Sequence, residues 1–121
     1  MILQILIALA ALMGAAGIVL AAAGAHAKPG AGLDSASQML LFHAPAVIAI
    51  CAAIKQGLLA RPLALAVMIG LICGAALFSG DLVMRAYLNQ RLFAMAAPTG
   101  GTILIGSWLL LAIAALAALR S

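Results

Sequence analysis

Acidic side chains are almost missing from this chain: Asp34 and Asp81 stand alone against six lysines and arginines, and there is no glutamate. The long first apolar run holds no carboxylate, so transport through an acid in an early span, the device of small four-helix drug exporters, is not expected. Cysteine is equally scarce. Cys51 and Cys73 fall inside apolar runs with no CxxC or Cys/His ligand spacing, so they read as small buried hydrophobes. No GxSxG elbow, Walker loop, HExxH pair or ordered Ser/His/Asp set occurs. An enzyme needs positioned acid, base and nucleophile groups, and the expectation is a protein that is not an enzyme and holds no cofactor.

Charge of either sign is rare as well. Only 7% of residues are charged and 69% are hydrophobic, against about 25% and 45–50% in soluble domains. A water-soluble fold of this composition would expose apolar surface everywhere. The net charge of +4 does not point to nucleic acid, because Lys28, Lys55, Arg61, Arg91 and Arg120 lie at the ends of apolar runs, where such residues anchor helices at anionic headgroups.

Four long apolar runs remain. About 18 or more apolar residues suffice to cross the roughly 30 Å hydrocarbon layer as a helix. The pattern predicts an all-α integral membrane protein, a four-helix transmembrane bundle forming one domain over 1–121, with helices at about 2–25, 36–55, 62–82 and 102–119. Its first partner is the lipid bilayer. Ala25-His26-Ala27 resembles a signal-peptide cleavage site, but no Lys or Arg precedes Lys28 and the run before it is about 21 residues, closer to a span than to the 7 to 15 of a signal core. It reads as a retained helix.

Small residues recur along the first run at Ala10, Gly14, Gly17, Ala21 and Gly24, in steps of three and four that place them on one helical face. Such a face lets a neighbouring backbone approach closely. Gly70 and Gly74 form a GxxxG pattern in the third run, which serves close packing within one bundle or between two copies; oligomeric state stays open. Pro62 suits the first turn of helix 3. Pro45 removes a donor inside helix 2, so the Leu41 carbonyl loses its usual partner and a kink is expected, with His43 within one turn. Asp34 or Ser35 is a candidate cap for helix 2. Pro98-Thr99-Gly100-Gly101 reads as a break before helix 4, putting Trp108 about 9 Å into that helix, a packing position.

Four crossings put the first and third joints on one membrane side and the second joint with both termini on the other. His26, His43, Asp81 and Arg85 then share one half of the bundle and form a candidate polar cluster. Asp81 and Arg85, four residues apart, can pair on one face. Two histidines invite a metal or haem, yet a closed zinc site needs four ligands and no cysteine lies at that end, so no metal site is expected. Interhelical hydrogen bonding is the usual role of buried polar residues in bundles. A proton, quinone or lipid-headgroup site is the competing one, because ionisable groups within spans are functional candidates.

The stretches Ala23-Gly24-Ala25-His26, Leu33, Gln38 to Phe42-His43-Ala44, Leu77-Phe78-Ser79-Gly80 and Pro98-Thr99-Gly100-Gly101 through Gly106-Ser107-Trp108-Leu109 resemble the YgdD-like family. These are small bacterial inner-membrane proteins grouped under domain of unknown function 423, with eukaryotic relatives called transmembrane protein 256. The resemblance covers nearly the whole chain and implies four transmembrane helices with no established activity. Two departures stand out: Asp81 with Arg85 follows the Phe-Ser-Gly motif where the family often has a small or neutral residue, and Pro45 stands where many relatives have a helix former.

Two functions follow as expectations. One is a structural or accessory subunit attached to a larger membrane complex, or a protein that alters bilayer packing. The other is a ligand-binding or transport module that uses the His26, His43, Asp81 and Arg85 end. The resemblance implies the bacterial inner membrane. Basic residues divide evenly between the two sides, but pairing of Arg85 with Asp81 tips the balance toward cytoplasmic termini.

Overall fold

The computed structural model describes residues 1–120, and nothing in them is a strand. Four helices carry the chain: α1 (Ile2–Ala22), α2 (Leu33–Lys55), α3 (Arg61–Leu88) and α4 (Ala96–Ala118). A π-helical segment, Ala23–Ala27, extends α1, closed by Lys28 N–H donating to the Ala23 carbonyl at 2.7 Å. Each helix is long and apolar enough to span a membrane. The shortest continuous spans, of 23 residues, rise about 35 Å at 1.5 Å per residue.

The helices form an antiparallel row in chain order. α1 packs along α2, α2 along α3 and α3 along α4, with a lighter approach of α1 to α3; no Cα of α4 comes within 8 Å of one in α1 or α2. α2 and α3 therefore bury more of their length than the outer pair. Their facing sides supply most of the core, with Leu40, Val47 and Ile50 against Val67, Met68 and Leu71, joined by Leu3 and Leu6 of α1 and Leu104 of α4. Large apolar side chains such as Ile18, Val19, Ile105, Leu109 and Leu116 point outward. In a bilayer the outward faces need no polar cover.

The joints confirm the expected parity. At one end Ala60 N–H, beside the start of α3, donates to the Ala114 carbonyl of α4 at 3.0 Å. At the other, the Lys28 ammonium lies 5.0 Å from the centre of the Tyr87 ring. The first and third joints share one end, and the second joint lies with the far end of α4.

Helix starts differ from the sequence-based boundaries in two places. α2 begins at Leu33 rather than about Ala36, entered through Gly32 at φ 86°, and neither Asp34 nor Ser35 caps it; Asp34 lies inside the first turn. α4 begins at Ala96 rather than about Thr102. The supposed breakers sit in its first turns, where Pro98 costs no hydrogen bond because the first four N–H groups of a helix lack intrahelical acceptors. Thr99 N–H already donates to the Met95 carbonyl at 2.9 Å. α3 likewise runs beyond residue 82 to Leu88 and stops at Asn89, whose φ of 53° lies in the left-handed region that asparagine tolerates. α2 continues as one helix through Pro45 to Lys55.

The small-residue seams lie where the pattern places them, inside the chain's own packing. A Cβ on Gly17 would fall 2.7 Å from Leu41 Cγ, and one on Gly14 would touch Ala44 at 3.8 Å, so this face receives α2. Gly70 and Gly74 face α4: a Cβ on Gly70 would run into Ser107 Oγ, and one on Gly74 would stand 2.9 Å from the Gly100 carbonyl. The GxxxG pattern is thus occupied within the fold.

Candidate functional site

His43 holds the most informative geometry. It is buried in α2, with Nδ1 2.6 Å from the Met39 carbonyl one turn back and Nε2 3.1 Å from the indole Nε1 of Trp108. An indole N–H only donates and a carbonyl only accepts. These partners assign the proton to Nδ1 and the lone pair to Nε2, which defines a neutral imidazole with both nitrogens engaged. The carbonyl it meets is that of Met39, not the Leu41 carbonyl freed by Pro45. The two rings lie 5.9 Å apart and tilted by 58°.

Because α2 starts early, His43 stands ten residues into it, about 15 Å along the axis, and Trp108 stands about 18 Å into α4 rather than 9 Å. The pair sits near mid-span. His43 is therefore not at the bundle end to which its sequence position had assigned it.

Asp81 has no exposed surface, and both of its oxygens are occupied. Arg85 donates to Oδ2 at 2.7 Å from the next turn of α3, forming the expected ion pair. Leu92 N–H donates to Oδ1 at 3.0 Å, which ties the loop between α3 and α4 back onto α3. Arg85 is partly exposed, and its Nε is buried without a partner. His26 lies exposed in the π-helical segment.

Of the four candidate cluster residues only Asp81 and Arg85 are in contact; His43 bonds to α4 at mid-span and His26 faces outward. Among the described residues no three His, Cys, Asp or Glu side chains come together as metal ligands. A groove of about 520 Å³ does open between α1, α2 and α3 near that end, but its lining is Val19, Leu20, Leu40, Val83, Met84 and similar residues, with none of the four. Its polar side chain, Ser79, is turned to the Ala36 carbonyl at 2.9 Å.

Ser79 belongs to a set that sequence reasoning missed. Its bond joins α3 to α2, and Ser37 joins α2 to α1 by donating to the Gly17 carbonyl at 2.9 Å. The Gly17 carbonyl is reachable because α1 has no side chain there. Gly17 was legible as a packing position; its service as an acceptor for Ser37 was not, since a single serine carries no periodic signal. Gly100, read as a breaker, is a point of close backbone approach between α4 and α3: a Cβ there would lie 2.7 Å from both the Gly74 carbonyl and Phe78 N.

Comparison with known proteins gives one match. A family model described as "Protein of unknown function (DUF423)" aligns with residues 13–101, well over half of the chain. No curated protein and no solved structure matches.

Proposed function

The chain belongs to the DUF423 family of proteins of unknown function, and from that premise we propose that it is a non-enzymatic structural or accessory protein that packs against a larger membrane complex. The observation that carries this reading is how the buried polar groups are employed. His43 has both nitrogens bonded, Asp81 both oxygens, and Ser37 and Ser79 each bind a neighbouring helix. Groups that chemistry would need are engaged in holding the fold: His43, Ser37 and Ser79 join helices, the usual role of polar residues inside membrane bundles, and Asp81 binds Arg85 of its own helix and the α3–α4 loop.

The outer face of α4 is where a partner helix would seat. Among the described residues only α3 packs along α4, with the Trp108–His43 bond as its side-chain link to α2, and Cβ atoms built on Gly101 and Gly106 would meet nothing within 4 Å. Gly106 lies beside exposed Ile105, Leu109 and Ile113. Small residues without an internal neighbour permit close approach from outside. The competing reading, a module for a proton, quinone or lipid headgroup at the His26, His43, Asp81 and Arg85 end, has less support because those side chains do not gather around one opening.

The proposed location is the bacterial inner membrane with the second joint and Arg120 in the cytoplasm. Arg85 is paired with Asp81, which leaves Lys55, Arg61 and Arg120 on that side against Lys28 and Arg91 on the other. Lys and Arg excess marks the cytoplasmic side.

A photo-crosslinking residue placed at Gly106, at native expression level, tests the reading. Adducts of defined mass with another protein, absent when the same residue replaces buried Val47, are expected. A chain that runs in mild detergent as a free 12.1 kDa species and gives no adduct contradicts it.

A further inference from the structure

The end of the molecule opposite the candidate cluster carries a pocket of about 380 Å³ that the reading above does not use. Met1, then Leu3, Gln4 and Ile7 of α1, Ile48, Cys51, Ala52 and Lys55 of α2, and Arg61 at the start of α3 line it. Lys55 and Arg61 bring two cations to a pocket whose lining includes no carboxylate. The chain's only acidic side chains, Asp34 and Asp81, stand 21 and 20 residues along the same two helices, about 30 Å away at 1.5 Å per residue. Arg85 with Asp81 is the one ion pair between side chains among the described residues. Both acidic side chains thus lie toward the opposite end, and among the described residues no acidic side chain pairs with Lys55 or Arg61.

The rest of the lining says what kind of anion fits. Leu3, Ile7 and Ile48 belong to membrane-spanning segments and form an apolar wall, while Gln4 adds an amide that can both donate and accept. A free inorganic anion would use the cations and leave the apolar wall idle. A molecule with a phosphate at the helix ends and a hydrocarbon chain running toward the bilayer centre would use both.

We propose that this pocket is a binding site for an anionic phospholipid, its phosphate between Lys55 and Arg61 and one acyl chain against Ile7 and Ile48. Basic pockets between transmembrane helices are suited to such headgroups. The site is distinct from the polar cluster and independent of whether α4 docks a partner.

The test uses the full chain in nanodiscs of equimolar phosphatidylglycerol and phosphatidylcholine, with the lipid kept after transfer to mild detergent read by native mass spectrometry. The wild type is expected to keep phosphatidylglycerol in preference to phosphatidylcholine. A Lys55→Gln/Arg61→Gln variant should lose that preference by about 25-fold, about fivefold for each cation at an anionic surface. Ile48→Trp, which fills the pocket and keeps both charges, should lose it too. Lys28→Gln/Arg91→Gln removes equal charge from the opposite end and should retain it. Circular dichroism of each variant shows whether it has folded, and Ile48→Trp keeps the test alive should the double variant fail. Absence of preference in the wild type, equal loss in both double variants, or displacement of the lipid by excess glycerol phosphate would each overturn the proposal.

Discussion

The Trp108 indole N–H donates to His43 Nε2 across 3.1 Å, between two helices whose Cα atoms nowhere come within 8 Å of each other. The two side chains reach past α3 to make the direct polar link between α2 and α4. With the indole donating, Nε2 is the acceptor and Nδ1 donates to the Met39 carbonyl. A residue that invites a metal or proton-relay reading in sequence is thereby an interhelical fastener in the fold.

That relationship is open to a double-mutant cycle. His43→Leu and Trp108→Phe each remove the bond while keeping most of the apolar volume, and their coupling energy should be about 0.6 kcal/mol and at most about 1.7, the average and the maximum found for interhelical hydrogen bonds in a membrane protein. Unfolding in mixed micelles measures it. Trp108 is the single tryptophan, so its emission reports His43→Leu directly and should shift on loss of the imidazole. A coupling near zero with unchanged emission would show that the two rings do not bond.

Glycines in α1 and α4 should separate by what faces them. Gly100→Ala drives a Cβ to 2.7 Å from the Gly74 carbonyl and Phe78 N, backbone atoms that cannot rotate away, and overpacking of this kind costs about 1–3 kcal/mol. Gly17→Ala meets the flexible Leu41 side chain at 2.7 Å and should cost less. Gly106→Ala meets nothing within 4 Å and should leave the isolated chain unchanged or stabilise it by up to about 1 kcal/mol. Under the accessory reading, bulk at Gly106 instead weakens capture into the larger assembly. Thermal unfolding of the three variants in one detergent gives the ranking.

The two members of the ion pair should respond unequally. Arg85→Leu strands a fully buried carboxylate without its countercharge, whereas Asp81→Asn leaves a half-exposed guanidinium able to turn toward headgroups and keeps an oxygen for Leu92 N–H. Arg85→Leu should therefore be the more destabilising, and adding Asp81→Leu to it should recover part of the loss. Chemical unfolding of the three variants decides the order; an Asp81→Asn variant less stable than Arg85→Leu contradicts it.

The sequence made some of this legible and hid the rest for identifiable reasons. Four apolar runs with charge only at their ends announce four spans, and Gly14, Gly17, Gly70 and Gly74 announce packing seams, because both signals repeat at helical spacing. Helix starts were less readable. Pro98, Gly100 and Gly101 look like breakers, yet proline is tolerated in a first turn and Gly100 is required there by the approach of α3. The Asp81 and Arg85 pair was readable as neighbours on one turn. His43 and Trp108 are 65 residues apart on helices that are not neighbours, and nothing local in either stretch points to the other. The apparent clustering of His26 and His43 with Asp81 came from counting crossings, which places residues on a side of the membrane but not at a depth or on a helix face.

The claim beneath all of this is that four helices cross the bilayer, and site-directed labelling tests it most directly. In a background with Cys51→Ala and Cys73→Ala, single cysteines at Gly30, Gly57, Asn89 and Leu119 are exposed in intact cells to an impermeant maleimide. The account predicts that Gly30 and Asn89 react alike, that Gly57 and Leu119 react alike, and that the two pairs differ, with the Gly30 pair labelled from outside. Labelling of Gly30 and Gly57 from the same side would contradict it.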